Sequence, residues 1–240
     1  MRQDSLAYAR GWVFLCWTKA LAHSRDRQGA NLRALLALAA VVASGQVLDR
    51  IAVTVDKQVI TQGDLIRDLR VDAFLDHQPV DLSPLAKRAA AGRLVDQILM
   101  LHEAGDSHLV LASLEDAAKL VADEKSRYSS EQQYSAALSQ YGISEADLGQ
   151  HLLDGLRALR FSELRFRPAI QLSEADLQAY YDKLAASWRQ ANRTQIPTFE
   201  ESLSQVEKLL TADREIEALD RWLAMARASS KIEYRGAAFQ

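Results

Sequence analysis

Cysteine is almost missing from this 240-residue chain: Cys16 stands alone. A single thiol makes no intrachain disulfide, so a cystine-stapled scaffold and a multi-cysteine metal cluster are both excluded. Only four Pro and ten Gly occur, few for this length, which favours long helices over a strand-and-turn architecture. No apolar run reaches the ~20 residues that a bilayer-crossing helix needs; Ala34 to Val42 falls well short. A Gly-rich phosphate loop and a nucleophile elbow are also lacking, so no motif for nucleotide chemistry or serine acyl transfer is present and no cofactor is expected.

Hydrophobic residues at 48% and charged residues at 25% match a globular protein with a core. Length allows one or two domains. The first 45 residues stand apart. They carry Arg2, Arg10, Lys19, Arg25, Arg27 and Arg33 against Asp4 and Asp26, followed by the short apolar run and the small residues Ala43, Ser44 and Gly45. A basic flank, a short apolar core and small residues at the exit are the parts of a secretory signal. Residues 1–45 are therefore expected to export the chain, with an uncleaved inner-membrane anchor as the alternative. The net charge of −3 splits into +4 for this leader and −7 for the rest. An acidic mature chain disfavours general nucleic-acid binding, which depends on neutralising phosphates with Lys and Arg.

The mature chain is punctuated by one repeated signal, an apolar residue, Ser or Thr, then Asp-Leu three positions on. It occurs at Ile60–Leu65, Ile143–Leu148 and Leu172–Leu177. Each copy predicts a helix start: the hydroxyl caps a free N–H, the acid favours the positive end of the dipole, and the flanking apolar residues form a staple. Asp in place of the longer Glu predicts a weaker reciprocal bond. The spacing is too unequal for a solenoid repeat.

Between these marks the patterns predict short strands within Arg50–Ile60, with Asp56 and Lys57 as a turn, then a helix from Thr61 to about Leu75. The next helix spans Leu85 to Ala104, with Ala91, Leu94, Val95, Ile98 and Leu101 as a core-facing stripe and Gly105 as its stop. Further helices are expected after Ser113, Ser130, Ser144 and Ser173. The longest begins at Thr198 with Glu201 and reaches about Ala228, and Lys231–Arg235 alternates like a strand. Strands at both ends of a helical chain invite pairing, because a lone strand edge is a liability.

Few residues carry a chemical pattern. His102, Glu103, Asp106 and His108 have metal-like composition but lack the second His at i+4 that a zinc helix requires, so no metal is expected. His77 and His151 have no partner pattern. Arg157, Arg160, Arg165 and Arg167 form a basic strip that reads as a solvated helix face. Trp222 reads as a core anchor for the last helix. Tyr180, Tyr181 and Trp188, with the adaptable Met100, are candidate peptide-gripping residues, weighed against ordinary packing.

The order of segments resembles the N-terminal module of the SurA family of periplasmic chaperones. The resemblance rests on Leu48–Val53 through Ile60–Leu65, Leu94–Leu99, Leu138–Ile143, Leu172–Tyr181, Leu219–Leu223 and Ile232–Tyr234. It implies a mainly α fold: a helical domain over 46–240, with a body (46–189), a connector (190–197) and a returning helix and strand (198–236). Strands near the two ends would pair, and the long last helix would pack back on the body. Family members often carry an inserted parvulin prolyl isomerase domain. Only Lys183 to Pro197 lies at that point here, too little for a domain of ~100 residues, so no enzyme activity is expected. The resemblance implies an ATP-independent periplasmic chaperone for unfolded or partly folded exported polypeptides, outer-membrane proteins among them, held in a groove between the body and the long last helix. The alternatives are a peptidyl-prolyl isomerase and a scaffold docking one folded partner.

Overall fold

The computed structural model describes residues 49–191 and 195–240. The leader expected over 1–45 and the middle of the 190–197 connector lie outside them. Each of the seven helices among the described residues starts at a Ser or Thr whose hydroxyl accepts the backbone N–H three positions on. They are α1 (Gln62–Leu75), α2 (Pro84–Asp106), α3 (Leu114–Lys125), α4 (Glu131–Tyr141), α5 (Glu145–Phe166), α6 (Glu174–Gln190) and α7 (Phe199–Ser229). Five starts are full capping boxes, four of them closed by Asp. In those four the Asp carboxylate accepts the cap N–H at 2.8–3.1 Å. The short side chain therefore still completes the box, beside the one closed by Glu201 at 2.8 Å. Gly63 in the first turn of α1 has its own reason: its N–H donates to Asp49 Oδ1 at 2.9 Å, and a Cβ there would collide with that carboxylate.

The chain is mainly helical with a small three-stranded antiparallel sheet. Strands β1 (Ile51–Val55), β2 (Gln58–Thr61) and β3 (Ile232–Tyr234) run in the order β2-β1-β3. Asp56 turns the β1–β2 hairpin with φ of 50°. Val53, Thr54 and Val55 pair with Tyr234, Glu233 and Ile232. Asp56 reinforces the junction: its N–H donates to the Lys231 carbonyl, and its carboxylate accepts the Lys231 N–H at 3.0 Å. The two strand-forming ends thus meet as their alternation requires. A final 3-10 turn, Gly236–Phe239, buries Ala238 and Phe239 beneath the sheet against the same core as Val53, Leu65 and Val95; four residues with one aromatic carry no periodicity by which to foresee it.

Helix α7 serves two partners. Its C-terminal half packs on the body, where Trp222 meets Phe161 of α5 at 5.0 Å between rings and Arg227 pairs with Asp96 of α2 at 2.7 Å. Its N-terminal half forms a hairpin with α6 around Leu177, Val206 and Leu210. One boundary differs from the pattern. Helix α2 continues through Gly105 to Asp106, and His108, not glycine, takes the left-handed conformation beyond it, with φ of 54°. Its N–H and that of Leu109 reach back to the Gly105 and Ala104 carbonyls, satisfying acceptors that the helix end leaves open.

Candidate functional site

Helices α1, α2 and α5 converge on a charged cluster that no sequence pattern marked. Asp68 and Asp72 lie one turn apart on α1. His151 of α5 sits between them, Nδ1 at 3.2 Å from Asp68 and Nε2 at 3.3 Å from Asp72. Arg93 of α2 donates Nη2 to Asp68 and, at 2.6 Å, to Asp72. The Asp68 side chain is only 6% exposed. Burial would push its carboxyl up, but the His151 hydrogen bond and the positive charges of Arg93 and His151 outweigh burial and hold it low. Burial and the neighbouring Asp68 charge push Asp72 up to about 6. Burial opposes charge on His151, yet its bond to Asp68 and both carboxylates raise its affinity for a proton.

Asp68, Asp72 and His151 have the composition and proximity of a metal-binding set. The guanidinium of Arg93 already bonds both carboxylates, however, and a divalent ion would have to sit beside that fixed positive charge. The arrangement works chemically as an ion network that locks three helices in register.

Above this network opens a cleft of about 330 Å³. One wall is α2, presenting Leu94, Ile98 and Leu101; the others bring Asp64 and Arg67 from α1 and Asp147, His151 and Asp154 from α5. The apolar stripe of α2 is therefore divided. Ala91 and Val95 are buried in the core, while Leu94 and Ile98 are half-buried and Leu101 is 36% exposed. Helical spacing alone cannot tell a core face from a cleft wall one position around the helix. A recess of about 10 Å³, bounded by Met100, Leu111 and Ala158, adjoins the cleft and shares Leu101, Asp154 and Arg157 with it.

Met100 thus lies beside the cleft, mostly buried at 6% exposure and packed with Phe161 and Leu219. Tyr180, Tyr181 and Trp188 are elsewhere, on the α6–α7 hairpin, and the structure does not bring Met100 into their cluster. The Tyr180 hydroxyl donates to Asp213 at 2.9 Å, and burial together with that carboxylate pushes its pKa up to about 12. The Tyr181 hydroxyl donates to the Pro197 carbonyl at 2.8 Å, and its ring meets those of Trp188 and Phe199 edge-on. All three are half-buried.

The other candidates disperse. His102 bonds Gln58, Glu103 bonds Arg165 and Ser107, and His108 bonds the Asp106 carbonyl. The basic strip is internally compensated: Arg160 meets Glu163, Arg165 meets Glu103, and Arg167 meets Glu163 and the buried Glu215. The central network went unmarked by the sequence patterns. The spacing of four between Asp68 and Asp72, which puts two acids on the face of α1 that also carries Leu65 and Leu69, is the signal that could have pointed to it. No family model matches the chain, and no curated protein matches it.

Proposed function

We propose that this protein is a SurA-like chaperone that reversibly holds unfolded or partly folded exported polypeptides, outer-membrane proteins among them, without ATP and without catalysis. The observation that carries the reading is a solvent-open cleft within the body, among α1, α2 and α5 and not against the last helix where the resemblance put the groove. There Leu94, Ile98 and Leu101 form an apolar rail on a helix tied by the Asp68–Arg93–His151 network. An extended client lays apolar side chains on that rail, while the charged rim holds its backbone polar groups in a hydrated setting. Ordering a disordered segment costs free energy, so affinity is modest and release is fast. The pairing of β1 with β3 and the return of α7 onto α2 and α5 support the family assignment, since the resemblance implies both. On this reading the signal-like residues 1–45 export the protein to the periplasm, with an uncleaved inner-membrane anchor as the alternative.

Light scattering tests it. A denatured porin-like β-barrel protein is diluted from urea with and without a few-fold excess of the purified protein. Delayed aggregation is expected. Unchanged aggregation with a well-folded protein contradicts the reading and favours a dedicated folded partner. A proline-limited refolding assay is expected to keep its slow phase; acceleration of that phase would identify a prolyl isomerase instead.

A further inference from the structure

The charges around the cleft do not balance evenly. Arg67 lies between Asp64, at 3.0 Å, and Asp147, at 3.1 Å, and compensates both. Asp68 is held by Arg93 and His151. Asp154 differs. It lines both the cleft and the adjoining recess, among Leu101, Met100, Leu111 and Ala158. Its carboxylate accepts two bonds from the neutral Gln150 amide, at 2.9 and 3.0 Å, and its ion pair with Arg157 is long, 3.8 Å. Arg157 is directed elsewhere as well, donating Nε to the Ala112 carbonyl at 3.4 Å. Burial, with a smaller push from the Asp68 charge, raises the Asp154 pKa against the bond from Gln150 and the positive charges of Arg157 and His151. A negative charge half-sunk beside an apolar rail, with a neutral amide as its nearest donor, is stabilised by any cation brought to it.

Resting on the chaperone reading, we propose that the cleft selects client segments in which one lysine or arginine is flanked by apolar residues. The cation meets Asp154 where the cleft adjoins the recess, and the flanking side chains lie on Leu94, Ile98 and Leu101. A long basic side chain suits this position, because its methylene stem packs on the rail while only its tip needs the carboxylate. An acidic segment meets the excess of carboxylates and is rejected by like-charge repulsion.

The probes are two fluorescein-labelled heptapeptides, one with a central lysine between paired leucines, the other with norleucine in its place. Fluorescence anisotropy with the full chain is expected to show the lysine peptide binding about fivefold more tightly at low salt, the scale of one partly buried charge-assisted bond. Asp154→Asn keeps the shape and the Gln150 contact and is expected to erase that preference. Leu101→Ser is expected to weaken both peptides alike. Added salt provides a check that needs no variant: it lowers the lysine peptide's affinity and not that of norleucine. Equal binding of the two peptides overturns the proposal, as does a lysine preference that persists in Asp154→Asn. If aggregation is delayed but neither peptide binds, the chaperone reading stands and this site is wrong. If the lysine peptide binds through Asp154 while aggregation is unaffected, the site stands and the chaperone reading fails. Sedimentation showing a dimer that Leu101→Ser dissolves would assign the cleft to a second copy and overturn the proposal.

Discussion

In the hairpin of α6 and α7, aromatic side chains close on one another: Tyr181 lies against Trp188 and Phe199, and both tyrosine hydroxyls are bonded, Tyr180 to Asp213 and Tyr181 to the Pro197 carbonyl. In the body of α1, α2 and α5 the arrangement is reversed. Polar groups fill the deep position, and Leu101 is exposed on the cleft wall beside Leu94 and Ile98, which line the cleft while packing on the core. Residue type is therefore a poor guide to where a surface is available. Large aromatic rings bury the most area and so tend to be taken up by packing. In the body the cleft opens over the Asp68–Asp72–His151–Arg93 network, which ties α1, α2 and α5 together and leaves Leu101 on the open wall 36% exposed.

The two regions are disrupted most severely where they join and where the network sits. Phe161 of α5 is fully buried, its ring against Phe166 of the same helix and Trp222 of α7. Phe161→Ala is expected to cost about 3–5 kcal/mol in urea unfolding. Arg93→Met, which leaves Asp68 and Asp72 without their shared guanidinium, is expected to cost ~3 kcal/mol, because removing one partner strands buried charge. Both variants should weaken client holding together with stability.

Between mildly acid and mildly alkaline pH, the charge cluster of the body titrates. The Asp72 pKa of about 6 in the folded state exceeds the ordinary value of 3.8, and His151 is also raised above its ordinary 6.5. For both groups the folded protein binds the proton more tightly. Their contribution is present at mildly acid pH and is lost as pH rises through the folded-state values. Asp68 runs the other way: held low, it contributes above 3.8 and loses that contribution only in stronger acid. Thermal stability is therefore expected to be greater near pH 5.5 than near pH 8. Asp72→Asn should flatten that dependence, and an unchanged slope would show that the network does not set it.

Smaller changes separate the hairpin from the body. Ser173→Ala removes the cap of α6 and is expected to cost ~1 kcal/mol. Tyr180→Phe loses the bond to Asp213 and is expected to cost about 0.5–1.5 kcal/mol. Neither should alter client holding if the hairpin aromatics serve packing; a loss of holding in Tyr180→Phe at unchanged stability would return the site to the hairpin.

What could be read from the sequence follows the range of the forces involved. Helix starts were legible because a Ser or Thr and an acid three residues on form a bond within one turn, as at Thr61, Ser144 and Ser173. The meeting of β1 and β3 was legible because an unpaired strand must find an edge. Asp68, Arg93 and His151 were not, since their partners lie on three helices and depend on rotations that no local pattern fixes. On α2, the stripe expected to face the core holds for Ala91 and Val95, which are buried, and for Leu94 and Ile98, which pack against that core while also lining the cleft; Leu101 at its end is exposed.

Whether the cleft captures clients is decided by the aggregation of a denatured porin-like protein, followed by light scattering with wild type and with Leu101→Arg. Leu101 is partly exposed, so the substitution should change stability by no more than about 0.5 kcal/mol while filling the cleft. Wild type is expected to delay aggregation and Leu101→Arg is not. Equal protection by both proteins, at equal stability, would contradict this and place client capture outside the cleft.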